Sequence, residues 1–493
     1  MRPSHRYGST AAPLLAVLVA STLSRAAVAA PLPELLGAPT GAHPFNAAVA
    51  SPGAEAAYFN PALLVDSDPG LTLGFVLLWS DLAIGLDPRP DGVDVPGTIY
   101  DLRELLDDGS TRRLVDRPLP TASLREARRS TRDRDALTYL ELGLVQPIVA
   151  GRLAVGLYGT LPTAAVQVQR PYFVDEREQY FSNRLHFELY GDRLRTQAFH
   201  FGLGARPLPW LSLGAGLSLG TRSVARTDVY IGDSLYQEES LVVSDVTVEA
   251  TLTPSFALAV TPIEPLRLAL TLHLSSGHDV DGRSDVQFWT FPYPDDGDSV
   301  VQRFAFRHGD QPLRLGFGAH WAATAGDLRW NVAATGRLIR WSAYQNRQAD
   351  RPRQAFRDTV TWGLGGGVAW SGHRVGLDLL WAPTPVPEQV GRDNYVDNDR
   401  VGASLTWGVG LPVGDATLRA GLTLGVQRLV PRSVRKDLDA ADPVRDELPR
   451  AVDIRSGELA PEAEGLQTNN PGFPGFASRG WLVSAGLRIG LTL

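Results

Sequence analysis

Nine histidines, no cysteine and one methionine narrow the chemistry available to this 493-residue chain. Without thiols it has no disulfide scaffold, no thiolate zinc site and no cysteine nucleophile. It contains no H-E-x-x-H and no P-loop, and no histidines at metal-ligand spacing. The nearest approach to a nucleophile beside a base is Ser275 and Ser276 between His273 and His278. On a strand, His273 and Ser276 have opposite parity and face opposite sides, while His278 falls in the following loop. The sequence thus predicts a non-enzyme, with no cofactor and no metal. What remains are cations inside otherwise apolar stretches: Arg222, Arg267, Arg314, His320, Arg337 and Arg488. A guanidinium on a sheltered face could meet a carboxylate in bidentate geometry. Which face each side chain takes depends on the element carrying it.

Those elements read as strands. Over residues 245–260 the even positions are mostly apolar (Val246, Val248, Leu252, Phe256, Leu258, Val260), and the odd ones begin Asp, Thr, Glu, Thr, Thr, Ser. The last thirteen residues repeat the period of two. Trp481, Val483, Ala485, Leu487, Ile489, Leu491 and Leu493 share one face, and Ser484, Gly486, Arg488, Gly490 and Thr492 the other. Such segments are longer than ordinary sandwich strands and match the roughly 9–11 residues that cross a bilayer. Fourteen are legible, at 71–84, 137–146, 153–165, 194–206, 211–229, 244–260, 266–277, 301–323 (with a break near Gln311 and Pro312), 328–342, 358–370, 373–383, 399–411, 416–430 and 481–493. An even number suits a single-chain barrel.

The connections alternate between short and long. Links at 147–152, 207–210, 261–265, 324–327, 371–372 and 412–415 are short, whereas 87–136, 166–193, 230–243, 278–300, 343–357, 384–399 and 431–480 carry most of the charge and proline. Short periplasmic turns alternating with long extracellular loops produce this pattern, and it puts both termini on the periplasmic side. Eight tryptophans, Trp79, Trp321, Trp330, Trp362, Trp370, Trp381, Trp407 and Trp481, fall within these strands, as interfacial belts require. The expected fold is therefore all-β, a transmembrane antiparallel β-barrel of about 14 strands (71–493). On alternation, Arg222, Arg267, Arg314, His320, Arg337 and Arg488 face its lumen. There they meet either an acidic ligand or acids such as Glu249 and Asp378.

Composition agrees. The 49 Gly and 36 Pro stay below the roughly 25–30 percent expected of low-complexity disorder. A net charge of -7 leaves no basic footprint for nucleic acid. Residues 1–29 read as a signal peptide: Arg2, His5 and Arg6, an apolar run over 11–19, then an A-x-A site at Ala27 and Ala29. No later apolar run reaches 18 residues, so a membrane role needs strands.

Residues 30–70 are too few for a domain and contain SPGAEAAYFNPALL over 51–64. This stretch, directly upstream of fourteen strands, resembles the FadL-like family of outer-membrane long-chain fatty acid and aromatic hydrocarbon transporters of Gram-negative bacteria. The similarity rests on Tyr58, Phe59, Asn60, Pro61 and Ala62, on LSLGAGLSLG over 211–220, on WSAY over 341–344, on FRDT over 356–359, and on the Pro- and Asp-rich segment 382–400. The chain departs from the family at Leu63, where a glycine is usual, and at Leu493, where an aromatic is usual.

The resemblance implies an N-terminal plug (hatch) made by 30–70 inside the lumen, with Tyr58–Ala62 as its motif. It implies capture of a hydrophobic small molecule by the long loops, tighter binding inside, and lateral release through a break in the third strand. In LAVGLYGTLPTAAV that break would fall at Gly159 and Pro162, since proline cannot donate to the ladder and glycine weakens it. Arg314, Arg337, Arg267 and His320 are the candidates for a ligand carboxylate. Outer-membrane lipid and the barrel assembly machinery are the implied partners of a monomer. A general porin or a structural or adhesive barrel is the alternative, and a barrel-embedded lipid-modifying enzyme the remote one.

Overall fold

The computed structural model describes residues 31–50, 53–88, 102–105, 108–113, 129–163, 185–220, 223–233, 238–248, 251–290, 298–346, 349–437, 451–453 and 470–492. The proposed signal peptide, Glu249, Arg222 and Leu493 lie outside the described residues.

Fourteen antiparallel strands close into one barrel. They are β1 (Gly70–Leu86), β2 (Thr131–Val149), β3 (Leu153–Pro162), β4 (Ala198–Leu208), β5 (Leu211–Gly220), β6 (Thr251–Ile263), β7 (Leu266–His273), β8 (Arg314–Ala325), β9 (Leu328–Ile339), β10 (Thr359–Trp370), β11 (His373–Ala382), β12 (Arg400–Val413), β13 (Ala416–Arg435) and β14 (Gly475–Thr492). Each pairs with its neighbours in sequence. β1 closes the ring, with Gly70 opposite both Val145 of β2 and Thr492 of β14.

At one end the strands turn within two or three residues. Gly326 and Gly414, each followed by aspartate, take the left-handed φ (62° and 61°) that two-residue hairpin turns demand. Both Gly70 and Thr492 lie at this end, opposite the long loops.

The period of two becomes an inside and an outside. On β14, Trp481, Val483, Leu487, Ile489 and Leu491 are exposed outward, while Gly486 and Gly490 are buried inward. All eight strand tryptophans are exposed on the outer face. Trp362 and Trp370 lie eight residues apart on β10, about 26 Å along the strand. That separation fits an outward apolar band with aromatic rings at both edges.

Four of the expected strands are shorter than the sequence suggested. The runs read at 211–229, 244–260, 266–277 and 301–323 each divide in two. The barrel keeps β5, β6, β7 and β8, while Ser223–Asp233, Glu238–Val248, Ser276–Thr290 and Asp298–Gln311 form a separate four-stranded antiparallel sheet beyond the rim. The physical reason is visible at β8: Pro312, without an N–H, sits where the ladder stops. A strand leaving the membrane keeps its alternation, so periodicity alone cannot mark the rim.

Residues 31–50 and 53–67 lie inside the barrel. They form α1 (Pro31–Leu36), a 3-10 turn (Pro44–Asn46), α2 (Ala47–Ala50), α3 (Ala56–Phe59) and a second 3-10 turn (Pro61–Asp66). Leu32, Leu35 and Leu36 of α1 share a core with Val76, Leu78 and Leu82 of β1 and with Leu429 and Leu482. Lower down, Ala62, Leu63, Leu64 and Val65 pack on Val145, Ala154, Ala257 and Ala259. Inward-facing glycines make room for this. A Cβ on Gly214 would lie 2.2 Å from the Ala62 nitrogen, and one on Gly204 2.5 Å from the Pro61 oxygen. The wall facing Pro61 and Ala62 is therefore bare backbone.

Candidate functional site

The motif around Asn60 is a rigid corner. The Asn60 Oδ1 accepts from the Ala62 N–H at 3.1 Å and caps the second 3-10 turn, whose first residue, Pro61, has no N–H to leave unpaired. The Asn60 Nδ2 donates to the Ala48 carbonyl at 2.7 Å, tying the corner to α2. Tyr58, Phe59, Asn60, Pro61 and Ala62 are all buried. The Tyr58 ring lies between His200 of β4 and His273 of β7, with centroids 4.4 and 5.0 Å away.

Tyr58 leads to the charged centre of the interface. Its hydroxyl donates to Oε1 of Glu34 on α1. Arg314 of β8 approaches the same oxygen at 3.1 Å, and Arg337 of β9 holds Oε2 at 2.6 Å. Burial by itself raises the pKa of Glu34, but Arg314 and Arg337 outweigh it and hold the carboxyl at about 2. Burial pushes the Tyr58 phenol far above its ordinary value, so it stays a donor.

The pattern repeats around the wall. Asp66 is held by Arg206 of β4 and, at 3.1 Å, by Arg267 of β7. Glu55 lies 3.2 Å from Arg488 of β14. His43 Nδ1 lies 2.9 Å from Asp378 of β11, whose other oxygen accepts from the Phe45 N–H. Gln427 donates to the Leu35 carbonyl and Thr406 to the Ala42 carbonyl. Thr40 and Tyr158 both donate to Glu141 of β2. The described residues between Glu34 and Asp66 are fastened all round the ring.

Above α1 lies a chamber of about 80 Å³. Leu35, Tyr190, Ile339, Trp341 and Pro385 supply apolar wall, and Arg193, Arg314, Arg337 and Arg400 face Glu34 and Asp397. Loop residues cover it. Tyr344, Phe356, Val386 and Tyr395 form their own small core, with Tyr344 and Phe356 stacked at 4.8 Å. The volume is well under the roughly 300 Å³ at which ligand pockets begin, because α1 fills the floor. Below segment 31–67, at the short-turn end, lies a larger polar basin of about 580 Å³ bordered by Glu55, Asp66, Arg267, His320, Arg374 and Arg488.

The four residues expected to meet a ligand carboxylate are thus split. Arg314 and Arg337 adjoin the upper chamber and already hold Glu34, whereas Arg267 and His320 border the lower basin. The acids that neutralise the arginines come from the N-terminal segment. Asp378, expected to pair with an arginine, takes His43 instead.

The sequence held a sign of this. Residues 31–70 contain Glu34, Glu55, Asp66 and Asp68 and no lysine or arginine, so an acidic insert faces a wall whose inward cations are arginines. At the expected break in the third strand, Gly159 is paired on both sides, with Leu142 and with Phe199. Pairing ends at Thr160 toward β4 and at Pro162 toward β2. Gly159 lies within the ladder, and only Pro162 stands at its edge.

No family model matches the chain, and no curated protein matches it. Among solved structures, a FadL homologue of Pseudomonas aeruginosa is 14% identical with a TM-score of 0.46, the match covering 90% of this chain and 93% of that one. A monoaromatic hydrocarbon channel, CymD, is 11% identical with a TM-score of 0.44, over 96% and 98% of the two chains. The Pseudomonas putida toluene transporter TodX is 9% identical with a TM-score of 0.43, over 93% and 96%. These barrels are what the chain is similar to along most of its length.

Proposed function

We propose that this chain is an outer-membrane transport barrel that takes up hydrophobic small molecules, long-chain fatty acids or aromatic hydrocarbons, past a plug made by its own N-terminal segment. The observation that carries the reading is Glu34. One carboxylate on α1 is shared by two wall arginines and by Tyr58 of the plug motif, directly beneath an amphipathic chamber. An apolar ligand entering from the loops gains a lining of Leu35, Tyr190, Ile339 and Trp341. An acid head group on that ligand competes with Glu34 for Arg314 and Arg337. Success releases α1, and with it Tyr58 and the Asn60 corner. The outward apolar band supports a barrel seated in lipid, and on this reading release occurs laterally near Pro162 or downward through the basin.

Uptake of labelled oleate and of toluene by cells carrying the gene tests the reading. Uptake of at least one, lost when Asn60 and Pro61 are replaced by alanine, is expected. A steady large open-channel current from the purified wild-type barrel in a planar bilayer would instead indicate a general porin.

A further inference from the structure

The outer surface carries a charged feature that transport does not use. Asp81 (β1), Arg132 and Arg134 (β2), Arg428 (β13) and Arg479 (β14) have the outward parity of their strands, beyond Trp79 toward the long loops, with Asp81, Arg134 and Arg428 level with Trp481 and Arg132 and Arg479 one step further. Register brings them side by side: Asp81 is opposite Arg134 and Trp481, Trp481 opposite Arg428, and Ala83 opposite both Arg132 and Arg479.

Four guanidiniums face one carboxylate. Arg132 grips Asp81 at 2.6 Å and Arg134 approaches it at 3.4 Å, yet both arginine side chains remain 59% exposed. Arg428 lies 5.5 Å over the Trp481 ring, which fixes it at the edge of the apolar band. Among the described residues neither Arg428 nor Arg479 has an acidic partner. Beneath the cluster the same four strands expose Leu77, Trp79, Leu140, Val426, Val483 and Leu487.

We infer that this face is a binding site for a bisphosphorylated, multiply acylated glycolipid of the outer leaflet. The guanidiniums take its phosphates and the apolar strip beneath takes its chains. Arginine is the side chain suited to this, because its planar fork bonds two phosphate oxygens at once. Three strand spacings, about 14–15 Å, separate β13 from β2, the scale of a phosphorylated disaccharide. A cluster serving only solubility would intersperse both signs, and here the excess is three positive charges. The inference rests on the outer-membrane placement of the proposed function.

The test is native mass spectrometry and thermal shift on the purified full-length protein, folded as judged by heat-modifiable gel mobility. Bisphosphoryl lipid A is compared with the same lipid stripped of phosphate and with inorganic phosphate alone. Bisphosphoryl lipid A is expected to bind about one per barrel, the stripped lipid at least tenfold more weakly, and inorganic phosphate to give no shift. The variant R132Q/R134Q/R428Q/R479Q is expected to lose about tenfold or more in affinity, while R340Q, at the rim of β9, binds as wild type. Should the fourfold variant fail to fold, R428Q/R479Q leaves the Asp81 pairs intact and is expected to lose affinity in the same direction. Equal binding of phosphorylated and stripped lipid, or undiminished binding by R428Q/R479Q, overturns the inference. Ligand uptake is scored separately: uptake without selective lipid binding removes this inference alone, and lipid binding without uptake removes the transport reading alone.

Discussion

The carboxylate of Glu34 on the luminal segment lies 2.6 Å from the guanidinium of Arg337 on β9, 303 residues later in the chain. Arg314 on the adjacent strand takes the other oxygen, so one side chain of the N-terminal segment staples two strands that are themselves hydrogen-bonded, Arg314 opposite Ile339 and Gly316 opposite Arg337. Replacing Glu34 by glutamine keeps the shape and removes the charge. Two sheltered guanidiniums then face a neutral amide, which costs on the order of 2 kcal/mol or more of docking energy. E34Q should therefore show faster proteolysis within 31–67 and a leakier barrel in conductance, with the barrel itself still heat-modifiable. Wild-type protection of the segment in E34Q would show that the apolar contacts of α1 suffice.

The same carboxylate predicts a dependence on acid. Its pKa is held at about 2, below the ordinary 4.5. A group depressed in the folded state contributes stability that is present above the unfolded value and is lost as pH falls through the folded one. Docking of the segment should therefore weaken between about pH 4.5 and 2, by on the order of 3 kcal/mol in total. E34Q should lack that component of the slope. Hydrogen exchange at α1 amides across this range is the measurement, and parallel profiles for the two proteins would rule Glu34 out as the titrating group.

Much of the barrel was legible because lipid outside and water inside impose strict alternation on every strand. β14 obeys it from Val483 to Leu491, whereas β1 departs from it at Val76, Leu78 and Leu82, which face the N-terminal segment, and at Asp81, which faces outward. The rim was not legible, because the Ser223–Asp233 sheet strand keeps the period of β5 after leaving the membrane. The Asn60 corner was readable from Asn-Pro, since the side chain and the missing N–H act locally. The partners of Arg314 and Arg337 were not. Their acid lies some three hundred residues away, and only the one-sided charge of 31–70 hinted that an insert rather than a ligand would meet them.

Bare backbone at the seat of the Asn60 corner gives a steric prediction. Gly214 and Gly204 face Ala62 and Pro61, and a Cβ at either would fall within 2.5 Å of backbone atoms that the corner holds rigidly. G214V or G204V should push the corner off the wall and raise conductance, with little effect on barrel assembly because valine suits a strand. G421V, at an inward site of β13 with nothing nearer than 3.6 Å, is the control. Equal conductance in G214V and G421V would mean that the corner adjusts without leaving.

Lys436, at the end of β13, decides whether the loop roof matters for capture. Its Nζ donates to three carbonyls of one loop, Gln389 at 2.9 Å, Gly391 at 2.7 Å and Asp393 at 2.6 Å, while lying over the Phe476 ring. That loop continues through Asp397 and Asn398, which line the chamber above α1. K436M fills the space but removes the ammonium that these three carbonyls share, each lost bond costing about 1 kcal/mol or more. The loop should open, and external protease should cut within 387–394. The contacts of the N-terminal segment with the wall described above involve none of these atoms, so conductance should stay at the wild-type level while ligand uptake falls severalfold. If conductance rises together with the loss of uptake, the roof and the plug move as one body and capture cannot be separated from gating. If uptake persists with the loop cleaved, ligands reach the chamber without passing under the roof.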